Sequence, residues 1–155
     1  MPAQRRVVIL TLSLGTGHAR AAEVIGRVLR DTGDRVEVRT LDAIAVARPW
    51  FRWLYVIPYW WMLRNAPGLW RRVFERCQRR LHRSSAASWV FRRGCNEVLK
   101  QLRCLAPALT IATEIGAAEI AAFGKRKGWF NSPILAAQTG LQSEPAWVHR
   151  EIDFY

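Results

Sequence analysis

The sequence predicts an α/β domain on a parallel sheet, interrupted by an aromatic and basic helical insertion. Three observations predict it. Short β-branched runs alternate with segments of helical period at both ends of the chain. A strand–turn–helix–strand unit opens the chain, and such units imply parallel strands joined by right-handed crossovers. The middle third departs from both patterns and gathers tryptophan and arginine.

Arg5–Leu12 is a β-branched, mainly apolar run, the pattern of a buried strand. Arg5 and Arg6 open it, but a secretory signal needs a longer apolar stretch and a cleavage site. Ser13–Gly17 is a turn of small residues. Ala19–Asp31 places Ala22, Ile25, Val28 and Leu29 at helical spacing, with Gly33 as the stop. Arg35–Leu41 alternates Val36, Val38 and Thr40 as a second strand. Pro49–Leu63 is aromatic and is expected to break at Pro58. Pro67–Leu81 reads as a basic helix opened by its proline. Ser84 or Ser85 is placed to cap a helix from about Ala86 to Leu105. Pro107–Thr113 is a third strand, Ile115–Lys127 a helix and Pro133–Gln138 a fourth strand. Glu151–Tyr155 reads as the start of a fifth strand. The whole is a Rossmann-like parallel sheet, one domain over 1–155 with the helical insertion at about 48–104.

Composition narrows the function classes. Half of the 155 residues are hydrophobic, which excludes a disordered polar tail. Cys77, Cys95 and Cys104 are too few and scattered for a disulfide scaffold or a four-ligand zinc site, and read as free thiols. No run of eighteen uncharged apolar residues suits an ordinary membrane-spanning helix.

The net charge of +12 is concentrated. Residues 48–104 hold thirteen bases against two acids, a balance of +11, and six of the eight tryptophans. Within them Trp53–Leu63 carries no charge over eleven residues, roughly 16 Å of helix, about half a hydrocarbon core. Such a segment inserts partway without spanning. Trp50, Trp53, Trp60 and Trp61 suit the headgroup level, and Arg71, Arg72, Arg76 and Arg79 suit anionic lipid. The bland reading is a buried aromatic helix beside a solvated basic one. Nucleic acid is the rival partner, since a pI of 11.1 with interleaved aromatics also fits single strands. It ranks below membrane, because these aromatics form a nearly continuous apolar block and no nucleic-acid motif appears.

The turn Leu14-Gly15-Thr16-Gly17-His18-Ala19-Arg20 joins strand to helix. Its glycines let a ligand approach the backbone, and helix N-terminal N–H groups favour negative charge. The neutral imidazole of His18 can accept a proton there. Arg20 replaces the third glycine of a dinucleotide fingerprint, and a P-loop's Gly-Lys-Ser/Thr is missing. The bland reading is a tight βα turn with a surface histidine.

Strand–Gly-Thr-Gly-His–helix resembles the opening of the monogalactosyldiacylglycerol-synthase and processive diacylglycerol-glucosyltransferase family. Leu41-Asp42 is similar to that family's second strand end, and Trp50–Phe74 resembles its membrane-facing region. Ala112-Thr113-Glu114 and Glu144-Pro145-Ala146-Trp147-Val148 stand where the family has later strand-end motifs. Two positions depart from it: Thr139-Gly140 where the family usually has Thr-Asp, and Glu114 where it often has His. The resemblance implies the N-terminal half of a GT-B glycosyltransferase, with lipid acceptor on this domain and nucleotide-sugar on a second one. It implies transfer of a hexose from a UDP-sugar to a diacylglycerol-type acceptor, at the cytoplasmic face of the membrane as a peripheral protein. It implies His18 as general base, and Gly15, Thr16, Gly17, Glu114 and Trp147 at the acceptor. Glu114 reads otherwise as a strand-end polar residue, and Trp147 as packing. Neither cofactor nor metal is implied. The stop at Tyr155 leads to the expectation that the donor-binding domain is absent and the isolated fragment inactive. Gly140 and that stop together motivate a second reading, a non-catalytic peripheral membrane protein derived from the family.

Overall fold

In the computed structural model, the described residues are 5–32, 36–81, 93–140 and 147–155, without the side chains of 74 and 77–81. Four parallel strands form one sheet in the order β2-β1-β3-β4: β1 (Arg5–Thr11), β2 (Val36–Asp42), β3 (Leu109–Ala112) and β4 (Ile134–Ala136). The expected α/β, Rossmann-like sheet is what the chain forms. The first four predicted strands are found, trimmed or shifted by one or two residues.

β1 is central and explains the arrangement. Residues 7–11 are all buried, as a strand covered on both faces must be. Successive side chains point to opposite faces. Val7 and Ile9 pack with Ala22, Ile25 and Leu29 of α1 (Thr16–Asp31). Val8 and Leu10 join the larger core with Val98, Leu99 and Leu102 of α5 (Asn96–Leu105) and Ala117, Ile120 and Ala121 of α6 (Ile115–Arg126). Alternate residues of one strand thus bind helices on the two sides of the sheet.

α1 starts three residues earlier than the apolar period predicts, with Gly15 as its N-cap. Gly17 and His18 therefore lie in the first helical turn. Glycine is a poor helix former, so the pattern hides this turn. Thr32 is the C-cap, and Gly33 lies outside the described residues. The helix expected from Ala86 to Leu105 is not continuous where it is described: Arg93 and Gly94 are helical, Cys95 is a turn, and α5 (Asn96–Leu105) starts after it; the Ser84 or Ser85 cap lies outside the described residues. Of the expected fifth strand, one parallel bridge forms, Leu135 with Phe154 at the outer side of β4. Lys125 Nζ at 2.6 Å and the Ile134 N–H at 2.8 Å both donate to Asp153 Oδ2, which fastens this segment. They hold the Asp153 carboxyl below its ordinary range, the lysine contact being the larger cause.

The insertion is a helical hairpin. α2 (Pro49–Phe51) runs through a π-helical stretch, Arg52–Val56, into α3 (Ile57–Asn65), and α4 (Pro67–Leu81) follows. Pro58 does not break the chain as expected. Helical backbone continues from Pro49 to Asn65, and Pro58 follows directly on the π-helical turn Arg52–Val56, the local adjustment that takes up the missing N–H. Phe51 roots the hairpin in the core. It is fully buried, stacks on Tyr55 at 5.1 Å, and fills the space above Gly94, where a Cβ would lie 2.1 Å from its ring. The Arg48 N–H donates to the Gly94 carbonyl at 3.0 Å beside it.

Candidate functional site

In an open parallel sheet, ligands bind where successive strands depart to opposite sides, beyond the carboxyl ends of the strands. Here β1 is followed by β2 on one side and β3 on the other, so that point lies between β1 and β3. The turn after β1 and the residues after β3 and β4 meet there.

His18 is the residue they converge on. Its Nδ1 lies 2.9 Å from the Thr113 carbonyl oxygen, just past β3, and 2.9 Å from Thr139 Oγ1, beyond β4. The ring is half-buried. The turn leading to it is fixed from β2. Asp42 accepts from Ser13 Oγ at 2.6 Å, from the Ser13 N–H at 3.2 Å and from the Ile44 N–H at 3.0 Å. Asp42 is thus the tie between the loops after β1 and β2. Nothing approaches within 4 Å of a Cβ placed on Gly15 or Gly17, and neither has a positive φ. The fold itself does not require glycine there, and the two leave open space beside the helix start, which Thr16 shares as an exposed residue.

Glu114 faces its own helix. It is the N-cap of α6 and accepts from the Gly116 N–H at 2.6 Å and the Ala117 N–H at 3.3 Å. A carboxylate there also meets the positive end of the helix dipole. Trp147 is only 5% exposed and belongs to the main core, so packing, the plainer of its two readings, describes its place. Glu144, Pro145 and Ala146 lie outside the described residues.

The hairpin packs on the main core through Tyr55, Val56 and Tyr59. The Tyr59 hydroxyl is pushed up from its ordinary value by burial and, second, by the Glu114 carboxylate. Tyr59 meets Trp60 edge-on at 5.5 Å and Trp70 at 4.8 Å. Its neighbours face outward: Trp53 is 70% exposed and Trp61 57%, with Leu54, Ile57, Trp60 and Leu69 also exposed. Ile57, Trp60, Trp61, Arg64 and Asn65 line a shallow open groove. Trp50 departs from this set, being partly buried against the core. Arg71, Arg72 and Arg76 are exposed on α4, Arg71 pairing with Glu75 at 3.0 Å. The Arg79 side chain lies outside the described residues. Among the described residues no helix is long and apolar enough to cross a membrane.

Two residues with a place at the site carry no distinctive local signal in the sequence: Thr113 and Thr139, through their contacts with His18. Only the strand-end positions of the two threonines mark them.

A parallel sheet with its switch point occupied by a βα-turn histidine, and a helical insertion beside it, is the arrangement of the N-terminal half of a GT-B fold. A family model described as Monogalactosyldiacylglycerol (MGDG) synthase matches residues 18–155, and the chain belongs to that family of glycolipid-synthesising glycosyltransferases. The match begins at His18 itself. No curated protein and no solved structure gives a significant match.

Proposed function

We propose that this domain is the acceptor side of a membrane-associated glycosyltransferase that transfers a hexose from a UDP-sugar to diacylglycerol. The observation that carries the reading is His18 at the sheet switch point, its ring held by two contacts and open space left by Gly15 and Gly17. An acceptor hydroxyl attacking the anomeric carbon must lose its proton, and His18 takes it. Gly15, Thr16 and Gly17 line the approach. Glu114 acts by holding the first turn of α6 in place, and Trp147 supports the site from the core.

The exposed face of the hairpin supplies the membrane contact. Trp53, Leu54, Ile57, Trp60 and Trp61 enter the headgroup level of a cytoplasmic leaflet, and Arg71, Arg72, Arg76 and Arg79 meet its anionic lipids. Trp50 contributes by fixing the root of the hairpin. The acyl chains then stay in lipid while the hydroxyl reaches His18, avoiding about 0.8 kcal/mol per exposed CH₂. The UDP-sugar is bound by a second Rossmann-like domain. No step requires a metal or redox cofactor, and nucleic acid is not a partner in this reading.

The second reading, a non-catalytic peripheral membrane protein of the same descent, is favoured by Gly140, which leaves no carboxylate beside Thr139. The test joins this domain to a nucleotide-sugar-binding domain of the family and supplies UDP-hexose with diacylglycerol vesicles. Glycolipid product is expected. Vesicle binding with no product under any UDP-hexose would favour the second reading.

A further inference from the structure

The contacts of His18 fix more than its position. A peptide carbonyl carries no proton, so a 2.9 Å contact between His18 Nδ1 and the Thr113 oxygen is a hydrogen bond only if Nδ1 is the protonated nitrogen. Two lone pairs at that distance would repel. With Nδ1 protonated, Thr139 Oγ1, also at 2.9 Å, accepts a second branch of the same N–H. The hydroxyl proton of Thr139 is then directed away from the ring, on an exposed residue at the sheet's carboxyl edge. Nε2 is left with its lone pair.

We infer that Thr139 is a positioning residue for His18, and that with the Thr113 carbonyl it locks the Nδ1–H tautomer so that Nε2 is the proton acceptor. The inference rests on the reading of His18 as the base of the proposed transfer. It also gives Gly140 a consequence. In histidine-based catalysis a buried carboxylate commonly holds the tautomer and stabilises the imidazolium. Among the described residues the partners of this ring are the Thr113 carbonyl and the Thr139 hydroxyl, so a main-chain carbonyl takes that place. When Nε2 gains the acceptor proton, the Nδ1–H bond to Thr113 becomes charge-assisted and strengthens. A carbonyl supplies no full negative charge, so it fixes tautomer and orientation more than it stabilises the cation.

The experiment is nitrogen-15 NMR of the histidine-labelled 155-residue chain, well above neutral pH, with the three histidines assigned by single substitution. His18 is expected to be protonated on Nδ1, the reverse of the tautomer that free imidazole side chains favour. Thr139→Val is expected to shift the tautomer ratio toward Nε2–H roughly fivefold, the scale of one net hydrogen bond. Thr139→Ser, which keeps the oxygen, is expected to restore it. Amide spectra superimposable on wild type establish that both variants fold. Nε2–H as the dominant form in wild type would overturn the tautomer lock, and an unchanged ratio in Thr139→Val would overturn the role of Thr139. Both readouts are independent of turnover. If His18→Ala retains activity in the joined enzyme, the base reading fails while the tautomer result stands by itself.

Discussion

Replacing His18 by Ala in the joined two-domain enzyme is expected to lower turnover by about 10²- to 10⁴-fold, the usual contribution of a positioned general base. Vesicle binding is expected to stay at the wild-type level. The separation follows from where the residue sits. His18 belongs to the first turn of α1 and touches Thr113 and Thr139, whereas the exposed tryptophans belong to the hairpin between β2 and β3. The substitution removes a half-buried ring whose contacts lie at the sheet's carboxyl edge, so the core around β1 is left intact. Wild-type turnover in His18→Ala, measured as glycolipid formed per enzyme, would remove His18 from the mechanism.

The second large effect belongs to the hairpin. Trp60 and Trp61 are about half exposed, leaving roughly 100 Å² of each ring to bury in lipid, at about 25 cal/mol per Å². Partial burial at the interface still gives about 2 kcal/mol for the pair, so Trp60→Ser with Trp61→Ser is expected to weaken vesicle binding by roughly thirtyfold. That loss is apolar and is expected at low and high salt alike. Arg72→Gln with Arg76→Gln removes two charges worth about 1 kcal/mol each beside anionic lipid. Their loss is comparable at low ionic strength and fades near 1 M salt, where the Debye length is about 3 Å. Co-sedimentation with anionic vesicles across a salt series distinguishes the two. Unchanged binding in the tryptophan variant would end the insertion account.

The strands and α6 were legible because their side chains face consistent environments. Val7 to Leu10 is apolar throughout and sits between helices on both sides of the sheet, so its run needed no tertiary information. The start of α1 was less legible, since Gly15 caps it without a side chain and Gly17 follows inside the turn. The aromatic stretch shows the limit most clearly. Trp50 and Trp53 are the same residue type three positions apart, yet one packs on the core and the other is exposed. What separates them is Phe51 seated over Gly94, a contact across forty-three positions that no local pattern encodes. The histidine of the βα turn was readable as a candidate, but its partners are 95 and 121 residues away. Glu114 was marked by position, while its capping role depends on the backbone of the helix it starts. Trp147 carried two readings because burial of a single aromatic depends on which elements cover it.

The central claim is that a membrane-held acceptor presents its hydroxyl at the turn Gly15–His18. Its most direct test is photolabelling of the 155-residue chain on anionic vesicles, using a diacylglycerol analogue with the reactive group beside its free hydroxyl. Mass spectrometry of the digest then locates the adducts. Adducts at the Gly15–His18 turn, and on exposed residues of the Trp53–Trp61 stretch, are the result expected. Labelling confined to other surfaces, such as the outer edge of β2 around Arg39 and Thr40, with the Gly15–His18 turn unmodified, would contradict the claim.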